Sequence, residues 1–245
     1  MTDEELYSHP LVAAVRLIFF QTGDDEYPHA THGGTLFIVR HRGRPYGVTC
    51  KHVFGDFDPE MLHVTARTEL KPGRLSAKLQ NLGFAVNLGG AAASSDFGDL
   101  CVIEFADDLA PDFFGDTEYV IDRNSVGTSK PGHRLFAIGI SKEKSRLLPP
   151  PDGSIALCRL PLRDTGTTSD PLLRRASAIY EGTEFESITG MSGAPVFDLT
   201  AKALCGMVVR GTLQNNICEV LYADIHDIIR LIDAVRTRTA RTFYF

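Results

Sequence analysis

The feature that most restricts this chain is its punctuation. Apolar runs of five to nine residues recur along most of its length, most of them separated by stretches that carry Gly, Pro, Asp or Asn. They are TLFIVR (35–40), PYGVTC (45–50), LHVTAR (62–67), FAVNL (84–88), LCVIEF (100–105), HRLFAIGI (133–140), SIALCRL (154–160), APVFDL (194–199) and ALCGMVVRG (203–211). Most are rich in β-branched or aromatic residues, which suit a pleated, half-buried surface, and turn chemistry separates them. Asn215-Asn216 reads as a hairpin tip, because Asn tolerates left-handed turns. Many short strands without helices between them predict an all-β barrel or sandwich.

One segment breaks the pattern. From residue 224 onward, Ile225, Ile228, Ile229, Ile232 and Val235 recur at helical spacing. Asp224 suits the N-cap and Asp227 the first turn, while Arg236, Arg238 and Arg241 crowd the end where the helix dipole favours positive charge. This predicts a C-terminal amphipathic helix against the β body. The polar, turn-rich stretch 111–131 marks an internal boundary.

Composition narrows the function classes. Hydrophobic residues make up 43 % of the 245, ample for a core, and the formal net charge is -6. An acidic balance argues against a nucleic-acid partner, whose binders are normally basic. The longest apolar run, LVAAVRLIFF (11–20), is too short for a membrane span and contains Arg16. The acidic residues before it make a poor leader, so a cytoplasmic protein is expected. Five cysteines show no paired spacing and read as buried free thiols, with a Cys205–Cys218 bridge as the alternative. His29 and His32 form H-x-x-H without an obvious further ligand, so no metal and no cofactor is expected.

Three short motifs fall at strand ends: GVTCKHVF with His52, SDFGDLCVIEF with Asp99, and TGMSGAPVF with Ser192. A hydroxyl is a weak nucleophile near neutral pH and needs an adjacent base. Imidazole is that base, and a carboxylate fixes its tautomer and stabilises its charged form. The glycines around Ser192 then have a use. Acyl transfer needs backbone N–H groups aimed at a developing oxyanion, and Gly190 and Ser192 would supply them. Asp96 is the rival to Asp99, but only Asp99 abuts the apolar strand.

These motifs resemble the trypsin/chymotrypsin-like serine protease superfamily, in the style of bacterial trypsin-like peptidase domains without disulfides. The order His52, Asp99, Ser192, 47 and 93 residues apart, follows the family. GGTLFIV (33–39), PGHRLFAIGI (131–140) and LCGMVVRG (204–211) resemble further strands of it. The resemblance implies two six-stranded antiparallel β-barrels with a C-terminal helix. They would span 1–115 and 132–223, with a linker at 116–131 and the helix and tail at 224–245. It implies a protein or peptide substrate bound as an added strand along Val209, Arg210 and Gly211. By counting, Glu186 falls at the base of the primary specificity pocket, so a basic substrate side chain is expected; Thr189 is a further candidate substrate-binding residue.

The resemblance also shows departures. Met191 stands where the family has Asp or Asn, Ala194 where it has Gly, and Val209 where a Ser supports the buried acid; Lys51 sits beside the base. The expected activity is a serine endopeptidase held in check by narrow specificity or a regulatory partner. The alternative, motivated by the departures, is a protease-like module that binds peptides or a partner and cuts little or nothing.

Overall fold

A computed structural model of the chain describes residues 9–24, 29–31, 33–65, 79–84, 96–105, 113–145, 155–179, 188–214 and 217–237. After a five-residue helix, α1 (Pro10–Ala14), come strands β1 (Val15–Gln21), β2 (His29–Ala30), β3 (Thr35–His41), β4 (Arg44–Cys50), β5 (Leu62–Val64), β6 (Leu79–Phe84), β7 (Leu100–Phe105) and β8 (Tyr119–Val120). They form one curled sheet in the order β2-β1-β3-β4-β7-β6, with β5 on β1 and β8 on β3. Strands β9 (Arg134–Ile140), β10 (Leu157–Thr167), β11 (Leu173–Ala178), β12 (Pro195–Asp198), β13 (Ala203–Gln214) and β14 (Ile217–Asp224) close a barrel in the order β10-β11-β14-β13-β12-β9. Helix α2 (Ile225–Thr237) follows.

The second unit is the expected closed six-stranded barrel. The first is an eight-stranded curl with no closing pair among the described residues. Strand texture follows burial. β7 is buried along its whole length, and its sequence is a nearly continuous apolar run. From Leu160 onward β10 buries every second residue, and one of those buried positions is the acid Asp164. Helix α2 lies against β6, β7, β13 and β14, so its apolar face joins the two units. The Asp224 carboxylate accepts from the His226 N–H (2.9 Å), and Asp233 on the helix meets His41 and Arg42 of the β3–β4 turn.

Several strands escaped the sequence pattern. The run 11–20 is a short helix followed by β1. Its Arg16 is fully buried, donating to the carbonyls of Val15, Thr65 and Thr117 at 2.9, 3.0 and 3.1 Å. A buried guanidinium is tolerable only when its donors are satisfied, and here it ties β1 to two other segments. Strand β6 ends at Phe84, so most of the expected strand 84–88 lies outside the described residues. Arg-rich β11 was not anticipated. All five cysteines are free, Cys205 and Cys218 included. No helix among the described residues is long and apolar enough to cross a membrane.

A buried polar knot holds the barrel strands β10, β11 and β14 together. The fully buried carboxylate of Asp164 accepts from Tyr222 Oη (2.5 Å), from Arg174 Nη2 (2.9 Å) and from the Gly166 N–H (2.7 Å). Burial alone would raise its pKa. The hydrogen bonds from Tyr222, Arg174 and Gly166 outweigh burial and hold it below the usual carboxylate value. A carboxylate depressed in the folded state stabilises above its unfolded pKa and stops doing so as pH falls through the folded value. Asp164→Asn is therefore expected to cost about 3 kcal/mol or more at neutral pH, because Arg174 keeps its charge without a partner. Denaturant unfolding should show the gap from wild type narrowing as pH drops below 3.8, the usual Asp value.

Candidate active site

Sheet register brings the first two candidate residues together. β4 pairs with β7 antiparallel, and Cys50 lies opposite Leu100. His52 follows β4 in a 3-10 turn, Lys51–Phe54, and Asp99 ends the 3-10 turn Phe97–Asp99 just before β7. The two turns face each other at one end of the sheet. Asp99 accepts the His52 backbone N–H through Oδ1 (2.8 Å), and its Oδ2 contacts His52 Nδ1. The carboxylate thus fixes both the backbone and the ring of His52 and leaves Nε2 as the other ring nitrogen. The His52 side chain is half exposed, 51 %, against 17 % for Asp99. Asp96 is elsewhere engaged, reaching Arg210 Nη1 at 3.5 Å, so Asp99 and not Asp96 is the partner of the imidazole.

Ser192 sits in a turn between Ile188 and β12 that only glycine allows. Gly190 and Gly193 have φ of +98° and +85°. A Cβ at Gly190 would lie 2.1 Å from the Ile140 carbonyl oxygen, and one at Gly193 would lie 1.8 Å from that of Thr35. These contacts leave no room for a side chain. Within the turn, the N–H groups of Met191, Gly193 and Ala194 donate to Ile188, Val208 and Met191 carbonyls. Among the described residues, the N–H groups of Gly190 and Ser192 have no acceptor.

The turn is gripped by a residue that motif reading did not single out. Thr35, fully buried at the start of β3, donates its N–H to the Ser192 carbonyl (2.8 Å) and its hydroxyl to the Gly190 carbonyl (2.7 Å). The same hydroxyl accepts the Ile140 N–H (2.9 Å), and the Thr35 carbonyl accepts the Thr49 hydroxyl (2.7 Å). One side chain of the first sheet therefore joins β9 and the Ser192 turn of the second. A Thr at a strand start carries no sequence signal for this.

His52 and Ser192 line one cleft of about 250 Å³ together with Gly33, Gly34, Lys142, Ile188, Thr189, Gly190, Met191 and Gly211. The cleft brings together His52, Ser192, Gly190, Thr189 and Gly211. The Val209 side chain is buried, and the Arg210 side chain turns to Asp96. Glu186 lies outside the described residues, as do His32 and the His29 side chain. Lys142 and Ile188 line the cleft although sequence reading gave them no role. Beside the cleft, β13 pairs with β12 only as far as Met207 but with β14 as far as Gln214. Beyond Met207 its other edge has no strand partner among the described residues.

The sequence departures take physical form here. Met191 is buried, and its sulfur fills the space over Gly139, so the turn is anchored by apolar contact where the related pattern has an acid. Lys51 is exposed and does not line the cleft. Cys50 lies behind the imidazole–carboxylate pair, its thiol directed at the Val208 carbonyl (3.4 Å). Burial and the nearby Asp99 charge push that thiol well above its ordinary pKa, so it stays neutral. No hydrogen bond joins Ser192 to His52 among the described residues; in the absence of substrate such contacts are often loose.

Among solved structures, human heparin binding protein is similar with a TM-score of 0.60 and 11 % identity over 96 % of this chain and 97 % of that one. A mutant of the same human protein has a TM-score of 0.61 with equal identity and coverage. The fold is the chymotrypsin-like double barrel. At that identity the likeness speaks for the fold and not for activity. No protein-family profile and no curated protein matches the chain.

The grip of Thr35 yields a prediction. Thr35→Val removes the hydroxyl and leaves the Ile140 N–H and the Gly190 carbonyl short of a partner, an expected loss of about 1–3 kcal/mol in thermal unfolding. Thr49→Val, which removes a single bond to Thr35, should cost less.

Proposed function

We propose that this protein is a serine endopeptidase of the trypsin-like kind. The observation that carries the reading is the Ser192 turn. It sets a hydroxyl beside two backbone N–H groups that have no acceptor among the described residues, in the same cleft as an imidazole held by a carboxylate. Ser192 Oγ attacks the scissile carbonyl, and His52 Nε2 takes its proton and returns it to the leaving amine. Asp99 holds the Nδ1–H tautomer and stabilises the imidazolium. The Gly190 and Ser192 amides receive the oxyanion. The substrate backbone adds to the open edge of β13 near Arg210 and Gly211, which would place the scissile bond at the cleft.

A second reading rests on the missing Ser192–His52 hydrogen bond and on the Met191 substitution: a module that binds peptides and does not cleave them. Fold alone does not choose between them. Heparin binding, carried in the neighbours' name, is disfavoured for this chain by its net charge of -6.

A fluorophosphonate probe decides, because it needs an activated serine and not the right peptide. Wild-type protein is expected to label, Ser192→Ala and His52→Ala to fail, and Asp99→Asn to label roughly 10⁴-fold more slowly, as for triads of this type. Folded wild type that does not label would favour the binding module.

A further inference from the structure

We propose that Cys50, His52 and Asp99 form a binding site for a borderline-soft divalent cation, Zn²⁺ above all, and that filling it switches the imidazole–carboxylate pair off. One ligand atom from each side chain (the Cys50 sulfur, a ring nitrogen of His52 and a carboxylate oxygen of Asp99) lies within 4.8 Å of the other two. Thiolate, imidazole and carboxylate are the donor set that Zn²⁺ takes. A tetrahedral Zn²⁺, with bonds of about 2.0–2.3 Å, holds its donors roughly 3.3–3.8 Å apart, so closing this group needs only a small shift. The part free to shift is the His52 ring, half exposed where it lines the cleft. Cys50 is fully buried at the end of β4, and Asp99 is held by the His52 backbone. Three protein donors leave one position open toward the cleft for water or another ligand.

Coordination releases one proton to solvent, the thiol proton of Cys50; the Nδ1 proton of His52 moves to Nε2, so the ring binds as a neutral imidazole. With Nδ1 on the cation and the proton on Nε2, His52 has no free ring nitrogen left to accept the Ser192 proton. The cation site stands apart from the protease reading; only the switch rests on it.

The test uses the whole reduced protein. Equilibrium dialysis should give one Zn²⁺ per chain, and Co²⁺ in its place should give a thiolate-to-cobalt charge-transfer band. Cys50→Ala should lose that band and weaken Zn²⁺ binding by more than roughly tenfold. Cys101→Ala, at a second buried cysteine outside the group, should keep both. No stoichiometric binding, or a band that survives in Cys50→Ala, overturns the site. If Cys50→Ala does not fold, the wild-type spectrum decides: no thiolate band overturns the site. A band that persists when each of the other four cysteines is changed in turn supports it. For the switch, Zn²⁺ should suppress fluorophosphonate labelling of wild type and a chelator should restore it. Labelling indifferent to bound Zn²⁺ overturns the switch and leaves the site. A protein that never labels sinks the protease reading and leaves the dialysis and the spectrum fully readable.

Discussion

The cleft depends on Thr35. Its four hydrogen bonds reach Thr49 within the first sheet, Ile140 at the end of β9, and Gly190 and Ser192 in the turn before β12. A hydroxyl that both donates and accepts can satisfy one carbonyl and one N–H at a junction too crowded for water. The two glycines are the other half of the same constraint. Gly190 and Gly193 let the turn come within contact of the Ile140 and Thr35 carbonyls, where any side chain would collide. The outcome is a serine presented at a fixed place by backbone geometry, with two amides left over.

Around that junction the protein handles buried polarity in one consistent way. Arg16 is surrounded by carbonyl oxygens, and Asp164 by Tyr222, Arg174 and a backbone N–H. Asp99 is held by the backbone and ring of His52. Arg16 and Asp164 are each buried where several segments meet, and each therefore ties those segments together as well as holding its own position. The turn that carries Ser192 departs from this habit. Met191 anchors it by burial alone, which leaves the turn without a charge whose titration could release it.

Much of the fold was legible in alternation and punctuation. The strands β3, β4, β7, β9, β12 and β13 and helix α2 fall where apolar runs and helical spacing predict them. The misses have physical causes. β1 was hidden because its apolar run continues from a helix and contains an arginine that the interior neutralises. β11, with its arginines at Arg174 and Arg175, lacks the hydrophobic signature because Arg174 is paired with Asp164 inside the barrel. In the site, His52 and Asp99 were readable from their places beside strands, and the β4–β7 register explains why they meet. Thr35, which grips the turn, and Lys142, which lines the cleft, were not readable, because each comes from a segment far from Ser192 in the chain.

The sequence by itself determined the all-β texture, the closing helix, the glycines that Ser192 requires and the residue types from which a triad can be built. These depend on neighbours in the chain: alternation, turn chemistry and steric freedom are local. The sequence favoured Asp99 by its place before β7; the tertiary structure alone decided that Asp96 is drawn to Arg210 from another sheet. It also decided that the Val209 side chain is buried, and that a thiol lies beside the imidazole and carboxylate. Those outcomes come from strand register and from the contact between two sheets, which bring together residues that no spacing along the chain relates.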